Sequence, residues 1–247
     1  AQCLLGSEMC IRDSPAAVAG LKTCGIRGFN LTMPNKNKIV ELLDELSPEA
    51  QLIGAVNTVL NDNGKLIGYN TDGYGFMQSV RDAGHDITGK NITVMGVGGA
   101  SMAICAQSAL DGAASVHIFA RRTSRYWNRT QKFAENLSAK TGCQVCLFDN
   151  DDHTALRDSI AQSYLLINAT SVGMVPDIDD TIIKDTSLFH PELVVADVVY
   201  EPQETRLLRE AKAAGCQTFN GMYMLLHQGA KAFQILSLIH ISEPTRH

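Results

Sequence analysis

No apolar run in these 247 residues approaches the ~18 consecutive residues that a membrane-spanning helix needs. No stretch gathers lysine and arginine into a basic stripe, and the formal net charge is -5, so nucleic acid is not an expected partner. No internal repeat or low-complexity tract stands out. Cysteine is present without a pattern: Cys3, Cys10, Cys24, Cys105, Cys143, Cys146 and Cys216 are scattered along the chain. An odd, unpatterned set with no secretory leader suits a reducing cytosol, so the expected location is cytoplasmic. Cys143-x-x-Cys146 lacks a second pair and a nearby histidine. A structural zinc wants four ligands, so both residues are expected to pack and no metal is expected. What remains is ordinary globular composition, 45% hydrophobic and 19% charged, enough for one large or two modest domains.

The feature that organises the rest is Ile92-Thr93-Val94-Met95-Gly96-Val97-Gly98-Gly99-Ala100-Ser101. A β-branched run meets three glycines and then a helical pattern. Unpaired N–H groups at a helix start attract an anion, and glycines let a pyrophosphate approach the backbone. Ser101 stands where the strict G-x-G-x-x-G pattern has its third glycine. The strand–turn–helix context supports a cofactor loop over a plain turn.

Around this stretch, strands expected at 92–95, 115–120, 144–148, 164–168, 194–199 and 218–220 alternate with helices expected at 102–110, 128–140, 151–159 and 204–214. That alternation predicts a parallel sheet covered on both faces, with a Rossmann-like strand count. Before it, Ser14 and Pro15 open a helix over 14–24 that Gly25 ends. A short strand covers 28–32, broken by Pro34. Ile39, Leu42, Leu43 and Leu46 predict a helix over 38–46, and Ser47-Pro48-Glu49 opens another turn. Strands 55–60 and 65–69 form a hairpin around Asn61-Asp62-Asn63-Gly64, whose Asn-Gly suits a tight turn. Asp72 follows the end of the second strand, and a helix over 74–83 joins two domains.

The second strand of a dinucleotide fold ends near the adenosine ribose. A carboxylate there suits NAD, whereas cations suit the 2′-phosphate of NADP. This chain offers Phe119-Ala120-Arg121-Arg122-Thr123-Ser124-Arg125, with three arginines, two hydroxyls and no carboxylate. Guanidinium binds phosphate bidentately and stays charged, which favours NADP. Lys36 and Asp72, taken singly, read as surface charges. Asn30, Thr32, Asn57, Asn70 and Thr71 fall at strand ends or turns of the same block. Small polar residues there can bind a polyhydroxylated acid, and a Lys–Asp pair can move a proton to or from an alcohol.

Six motifs occur in order: 30–36 (Asn-Leu-Thr-Met-Pro-Asn-Lys), 54–58 (Gly-Ala-Val-Asn-Thr), 68–73 (Gly-Tyr-Asn-Thr-Asp-Gly), 96–101, 168–174 (Asn-Ala-Thr-Ser-Val-Gly-Met) and 221–230. Together they resemble the shikimate dehydrogenase family, including its quinate/shikimate branch, over about 14–236. The resemblance implies an α/β enzyme with a Rossmann-like NADP-binding domain at 74–221 and a smaller, truncated α/β substrate domain at 14–73 and 222–236. It implies NADP-dependent, reversible reduction of 3-dehydroshikimate to shikimate, in aromatic amino-acid biosynthesis. By motif position Lys36 and Asp72 correspond to the catalytic pair, and Thr32, Asn57, Tyr200 and Gln228 to substrate-binding positions. Val97, Gly98, Gly99, Ala100, Ser101, Arg121, Arg122, Thr123 and Arg125 correspond to the cofactor loops, with Val198 and Gly221 at the nicotinamide pocket. Lys36, as ammonium, would stabilise the developing alkoxide, and Asp72 would orient the same oxygen.

The chain also departs from the family. Its Ser-x-Ser-type carboxylate motif is absent, and its expected place lies before Ser14. Residues 1–13 and 237–247 lose periodicity and resemble non-native ends, so the expectation is a parent protein longer at both ends. Ala120-Arg121-Arg122 replaces the family's Asn-Arg-Thr. Three alternatives to the NADP-dependent shikimate enzyme stay open: a quinate/shikimate enzyme using NAD, one using NADP, or an inactive NADP-binding fragment. The expected partners are shikimate, 3-dehydroshikimate or quinate, with no membrane and a monomer or homodimer. His227, beside Gln228, reads as a pocket neighbour or an ordinary half-buried side chain.

Overall fold

The computed structural model describes residues 14–237, and the expected non-native ends lie outside them except for Ser237. Of the described residues, 14–71 and 228–237 fall in one compact unit and Asp72–His227 in the other. One boundary lies at the start of a helix and the other inside a helix.

The first unit opens with α1 (Ser14–Thr23), closed by Gly25 in the left-handed conformation at φ 66°. Its sheet has the order β1-β3-β4-β2, from β1 (Gly28–Asn30), β2 (Glu45–Leu46), β3 (Thr58–Asp62) and β4 (Lys65–Tyr69). β3 and β4 pair antiparallel from Thr58↔Tyr69 to Asp62↔Lys65. The two-residue turn puts Asn63 at φ 52° and Gly64 at φ 91°, the geometry that Asn-Gly predicts. Between β2 and β3, α2 (Pro48–Ile53) starts with Ser47 as cap and Pro48 at its first position, and ends at Gly54 with φ 67°. Val18, Ile39, Ala50, Val56, Val59 and Leu66 form the core.

The expected helix over 38–46 is corrected by the structure. A 3-10 turn covers Lys38–Leu42, and Leu43 is extended before β2. Strand pairing overrides the helical period here. The Asp44 N–H donates to the Leu66 carbonyl at 2.9 Å, and the Leu66 N–H donates to the Asp44 carboxylate at 2.7 Å. Leu42, Leu43 and Leu46 still pack on the same core, so the apolar spacing is satisfied by two shapes. Gly28 lies so near the end of the chain's last helix that a Cβ on it would sit 2.4 Å from a methyl of Leu236.

The second unit begins with α3 (Asp72–Asp82), which starts two residues earlier than its sequence pattern suggests. Asp72 is thus a first-turn helix residue, not a strand end, where a carboxylate meets unpaired N–H groups. Six strands follow: β5 (Asn91–Met95), β6 (Ser115–Ala120), β7 (Gln144–Asp149), β8 (Leu165–Asn168), β9 (Val194–Asp197) and β10 (Gln217–Phe219). All pairs are parallel, in the order β10-β9-β8-β5-β6-β7. This is the doubly wound order in which the connection reverses direction between β5 and β8. The covering helices are α4 (Gly99–Leu110), α5 (Trp127–Thr141), α6 (His153–Gln162) and α7 (Arg206–Ala213). Asp152 and Thr205 cap α6 and α7 through their side chains. α8 (Met222–Ser237) ends the described chain.

Among the described cysteines, Cys105, Cys143 and Cys216 are buried and Cys24 is exposed. Burial pushes the Cys105 thiol up to about 12 and the Cys143 thiol up to about 11. Both stay protonated at neutral pH and are poor metal or redox groups in that form.

Candidate active site

β5 is buried along its length and delivers the chain into Gly96 at φ 108°. A Cβ there would lie 2.7 Å from the Thr170 methyl and 3.1 Å from the Ala169 carbonyl oxygen. Only glycine meets both demands. α4 begins at Gly99, three residues before its apolar pattern, with Gly98 as a cap that supplies no side-chain acceptor. The first-turn N–H groups are therefore left for an anion. Gly98 and Gly99 are exposed, and a Cβ on either would meet nothing within 4 Å. Val97 is half-buried beside them. Ser101 is fully buried, and its hydroxyl donates to the Gly96 carbonyl at 2.6 Å. Its side chain braces the turn and is not presented to a ligand.

A cavity of about 480 Å³ opens beside this turn. Its walls are Gly98, Gly99 and Ala100 after β5, the 169–171 segment after β8, and Val198 to Glu201 after β9. It thus lies across the carboxyl ends of strands on both sides of the reversal, where open α/β sheets bind their ligands. Gly221 approaches one wall so closely that a Cβ would lie 2.0 Å from the Val198 carbonyl oxygen. Tyr200 lines the cavity and is 43% exposed.

Behind that wall is a buried network that the sequence analysis does not identify. The Asp197 carboxylate is fully buried. It accepts from the Asn168 amide at 3.0 Å, the Val199 N–H at 2.9 Å and the Thr205 hydroxyl at 2.8 Å. Burial pushes its pKa up, and those donors pull it back. Asn168 also holds the next loop, accepting the Thr170 N–H at 3.1 Å and donating to the Val172 carbonyl at 3.1 Å. The visible signal was an Asn and an Asp ending neighbouring apolar strands.

After β6, Arg121, Arg122, Thr123 and Arg125 are exposed. Arg122 lies over the Trp127 ring at 4.7 Å, and Arg125 over Tyr126 at 4.7 Å while donating to its hydroxyl at 2.7 Å. Stacking holds two guanidinium planes without neutralising them. The 119–125 segment itself has no carboxylate, but the neighbouring strand brings one. Asp149 ends β7 opposite Ala120, and its side chain accepts the Arg122 N–H at 3.4 Å. Reading one strand end in isolation missed the acid that the neighbouring strand brings.

The first unit holds Thr32, Lys36 and Asn57 in one tied group of loops. Lys36 is half-buried in the turn after β1, and its carbonyl accepts the Val56 N–H at 2.8 Å. Thr32 is exposed in the same turn. Asn57 is buried, and its oxygen takes the Thr71 N–H at 3.0 Å while its amide donates to the Thr71 hydroxyl at 2.9 Å. Asn30 donates to the Asn57 carbonyl at 3.3 Å, and Asn70 to the Ala55 carbonyl at 3.1 Å. Gln228 is half-buried at the first position of this unit's share of α8. Asp72, Tyr200, Val198 and Gly221 belong to the second unit. So does His227, which is buried with Nε2 3.0 Å from an Asp82 carboxylate oxygen.

Residues 7–59 match the family described as the shikimate dehydrogenase substrate binding domain. A shikimate dehydrogenase (NADP(+)) of Listeria innocua is 48% identical over 231 residues, which cover 94% of this chain and 79% of that one. A quinate/shikimate dehydrogenase of Escherichia coli is 43% identical over 221 residues, covering 90% of this chain and 76% of that one. The crystal structure of a shikimate 5-dehydrogenase from Listeria monocytogenes, in complex with shikimate and NAD, superposes with a TM-score of 0.91 at 47% identity, covering 93% of this chain and 79% of that one.

Proposed function

Because the chain belongs to the shikimate dehydrogenase family, we propose that it catalyses the reversible, NADP-dependent reduction of 3-dehydroshikimate to shikimate. The observation that carries this reading is the cavity at the sheet's reversal point, entered from the Gly96–Ser101 turn, in a chain with such relatives. The residues fit a dinucleotide. Gly98 and Gly99 leave room where a side chain would stand, Gly221 is held against Val198, and exposed arginines follow β6.

When bound, the dinucleotide supplies a hydride for the ketone carbon. The chain's own residues do the rest. The N–H groups opening α4 hold the pyrophosphate. Arg121, Arg122 and Arg125 hold the 2′-phosphate, with Thr123 beside them. Val198 and Gly221 border the nicotinamide side. Thr32, Asn57, Tyr200 and Gln228 bind substrate hydroxyl and carboxylate groups. Lys36, as ammonium, donates to the ketone oxygen and stabilises the charge that develops there. Asp72 is the second catalytic group, and the proton is assigned to the two residues jointly.

A second reading has its own observation. Asp149 brings a carboxylate to the ribose end of the cofactor loop, as NAD use would require. This favours a quinate/shikimate enzyme that accepts NAD. Initial rates of shikimate and quinate oxidation with NADP+ and with NAD+ decide between the two. Highest kcat/KM for shikimate with NADP+ supports the first reading, and quinate with NAD+ supports the second. No helix among the described residues is long and apolar enough to cross a membrane, and a cytoplasmic monomer or homodimer is the assembly we propose.

A further inference from the structure

Asp197 has no part in the proton transfer, and its surroundings are unusual for an acid. Both donors on its Oδ1, the Asn168 amide and the Val199 N–H, are fixed as donors. The Asn168 amide cannot be flipped, because its oxygen already accepts the Thr170 N–H at 3.1 Å. The Thr205 hydroxyl donates to Oδ2 while accepting the Leu208 N–H at 3.4 Å. The two fixed donors on Oδ1 favour the anion, and burial works against it. Among the described residues no lysine or arginine pairs with it. The next two residues, Val198 and Val199, line the cavity. As an anion, Asp197 would place a negative charge with no paired cation just behind the wall, where solvent screens it little.

We propose that Asp197 sets the preference of this cavity between cofactor redox states, favouring the oxidised dinucleotide, whose nicotinamide ring carries a positive charge that the reduced ring lacks. This rests on the dinucleotide reading above. A dinucleotide with its adenosine end at the loop after β6 and its pyrophosphate at α4 would be held by Val198 and Val199 at its nicotinamide end. The oxidised form would carry a positive ring charge there that the reduced form lacks. A fixed anion nearby stabilises that oxidised form and holds it longer.

The test measures the dissociation constants of NADP+ and NADPH, with NAD+ and NADH alongside, for the full chain and its variants. Asp197→Asn is suited to this pocket. Its amide oxygen keeps the two fixed donors, and its NH2 faces the Thr205 hydroxyl, which can accept. The ratio Kd(NADP+)/Kd(NADPH) should rise about three- to tenfold in Asp197→Asn. Thr205→Val loses a hydrogen bond but keeps the charge, so both constants should move together. Should Asp197→Asn not fold, Asp197→Ser keeps a hydroxyl acceptor without the charge and is measured in the same way. An unchanged ratio in a folded, binding variant overturns the proposal. Failure of the unsubstituted chain to bind either form overturns the dinucleotide reading beneath it.

Discussion

Gly221 lies against Val198 at a separation no side chain can share. A Cβ at position 221 would sit 2.0 Å from the Val198 carbonyl oxygen and 2.5 Å from its carbonyl carbon. The Gly221 N–H meanwhile donates to the Val199 carbonyl at 3.2 Å. The obstacle is backbone, so a substitution must move the cavity wall. Gly221→Ala should destabilise the fold by about 1–3 kcal/mol, as overpacking does. It should also weaken dinucleotide binding at least about tenfold, since 1.4 kcal/mol is a factor of ten. Urea unfolding and cofactor titration check both, and unchanged values for both would contradict the geometry.

Lys36→Ala should lower kcat by about 10²–10⁴, the usual worth of a positioned acid or base. NADP+ affinity should change little, because Lys36 belongs to the first unit and the glycine turn to the second. Steady-state rates and cofactor titration separate the two effects. Near-normal turnover would remove Lys36 from the mechanism.

Arg122→Ala should raise the Kd for NADP+ roughly 10- to 100-fold, in line with a lost charge-assisted hydrogen bond. NAD+, which lacks the 2′-phosphate, should bind nearly as before. Asp149→Asn should act in the opposite sense, weakening NAD+ and sparing NADP+. Equal effects on both cofactors in either variant would show that this loop does not read the phosphate.

Stability should fall on acidification through His117. Its Nδ1 lies 2.8 Å from the Ser159 hydroxyl, and burial lowers its pKa below the usual 6.5. The unfolded chain thus takes up a proton more readily than the folded one. The contribution is complete above the unfolded pKa and is lost as pH falls through the lower folded value. His85, lowered by burial as well, adds in the same direction. His117→Gln should flatten the dependence of the urea midpoint between about pH 7.5 and 5. An equally steep profile in that variant would clear His117.

The parts of the molecule written in local chemistry were legible before the structure. Asn63-Gly64 requires a two-residue turn, and the run from Ile92 to Ser101 requires strand, turn and helix. The helix over 38–46 failed because Leu66 offers Asp44 a strand partner that lies 22 residues away and leaves no local trace. Asp149 was overlooked for a related reason, since its neighbour Ala120 is 29 positions earlier and only the sheet register joins them. Asp197 lay inside a strand expected over 194–199, which the structure ends at Asp197. Its three donors come from one adjacent backbone group and two distant side chains.

The second unit is one unbroken stretch of chain, Asp72–His227, and the first is not. A ribosome therefore delivers the whole dinucleotide unit before residues 228–237 emerge. Domains fold as units during synthesis, the earliest complete one first. Here the unit that starts earlier in the sequence is completed later: β1 must wait, with Gly28 uncovered, until Leu236 arrives to pack beside it. Chaperone dependence should therefore track the first unit, and a released chain ending at His227 should show a protease-resistant second unit beside a protease-sensitive first one.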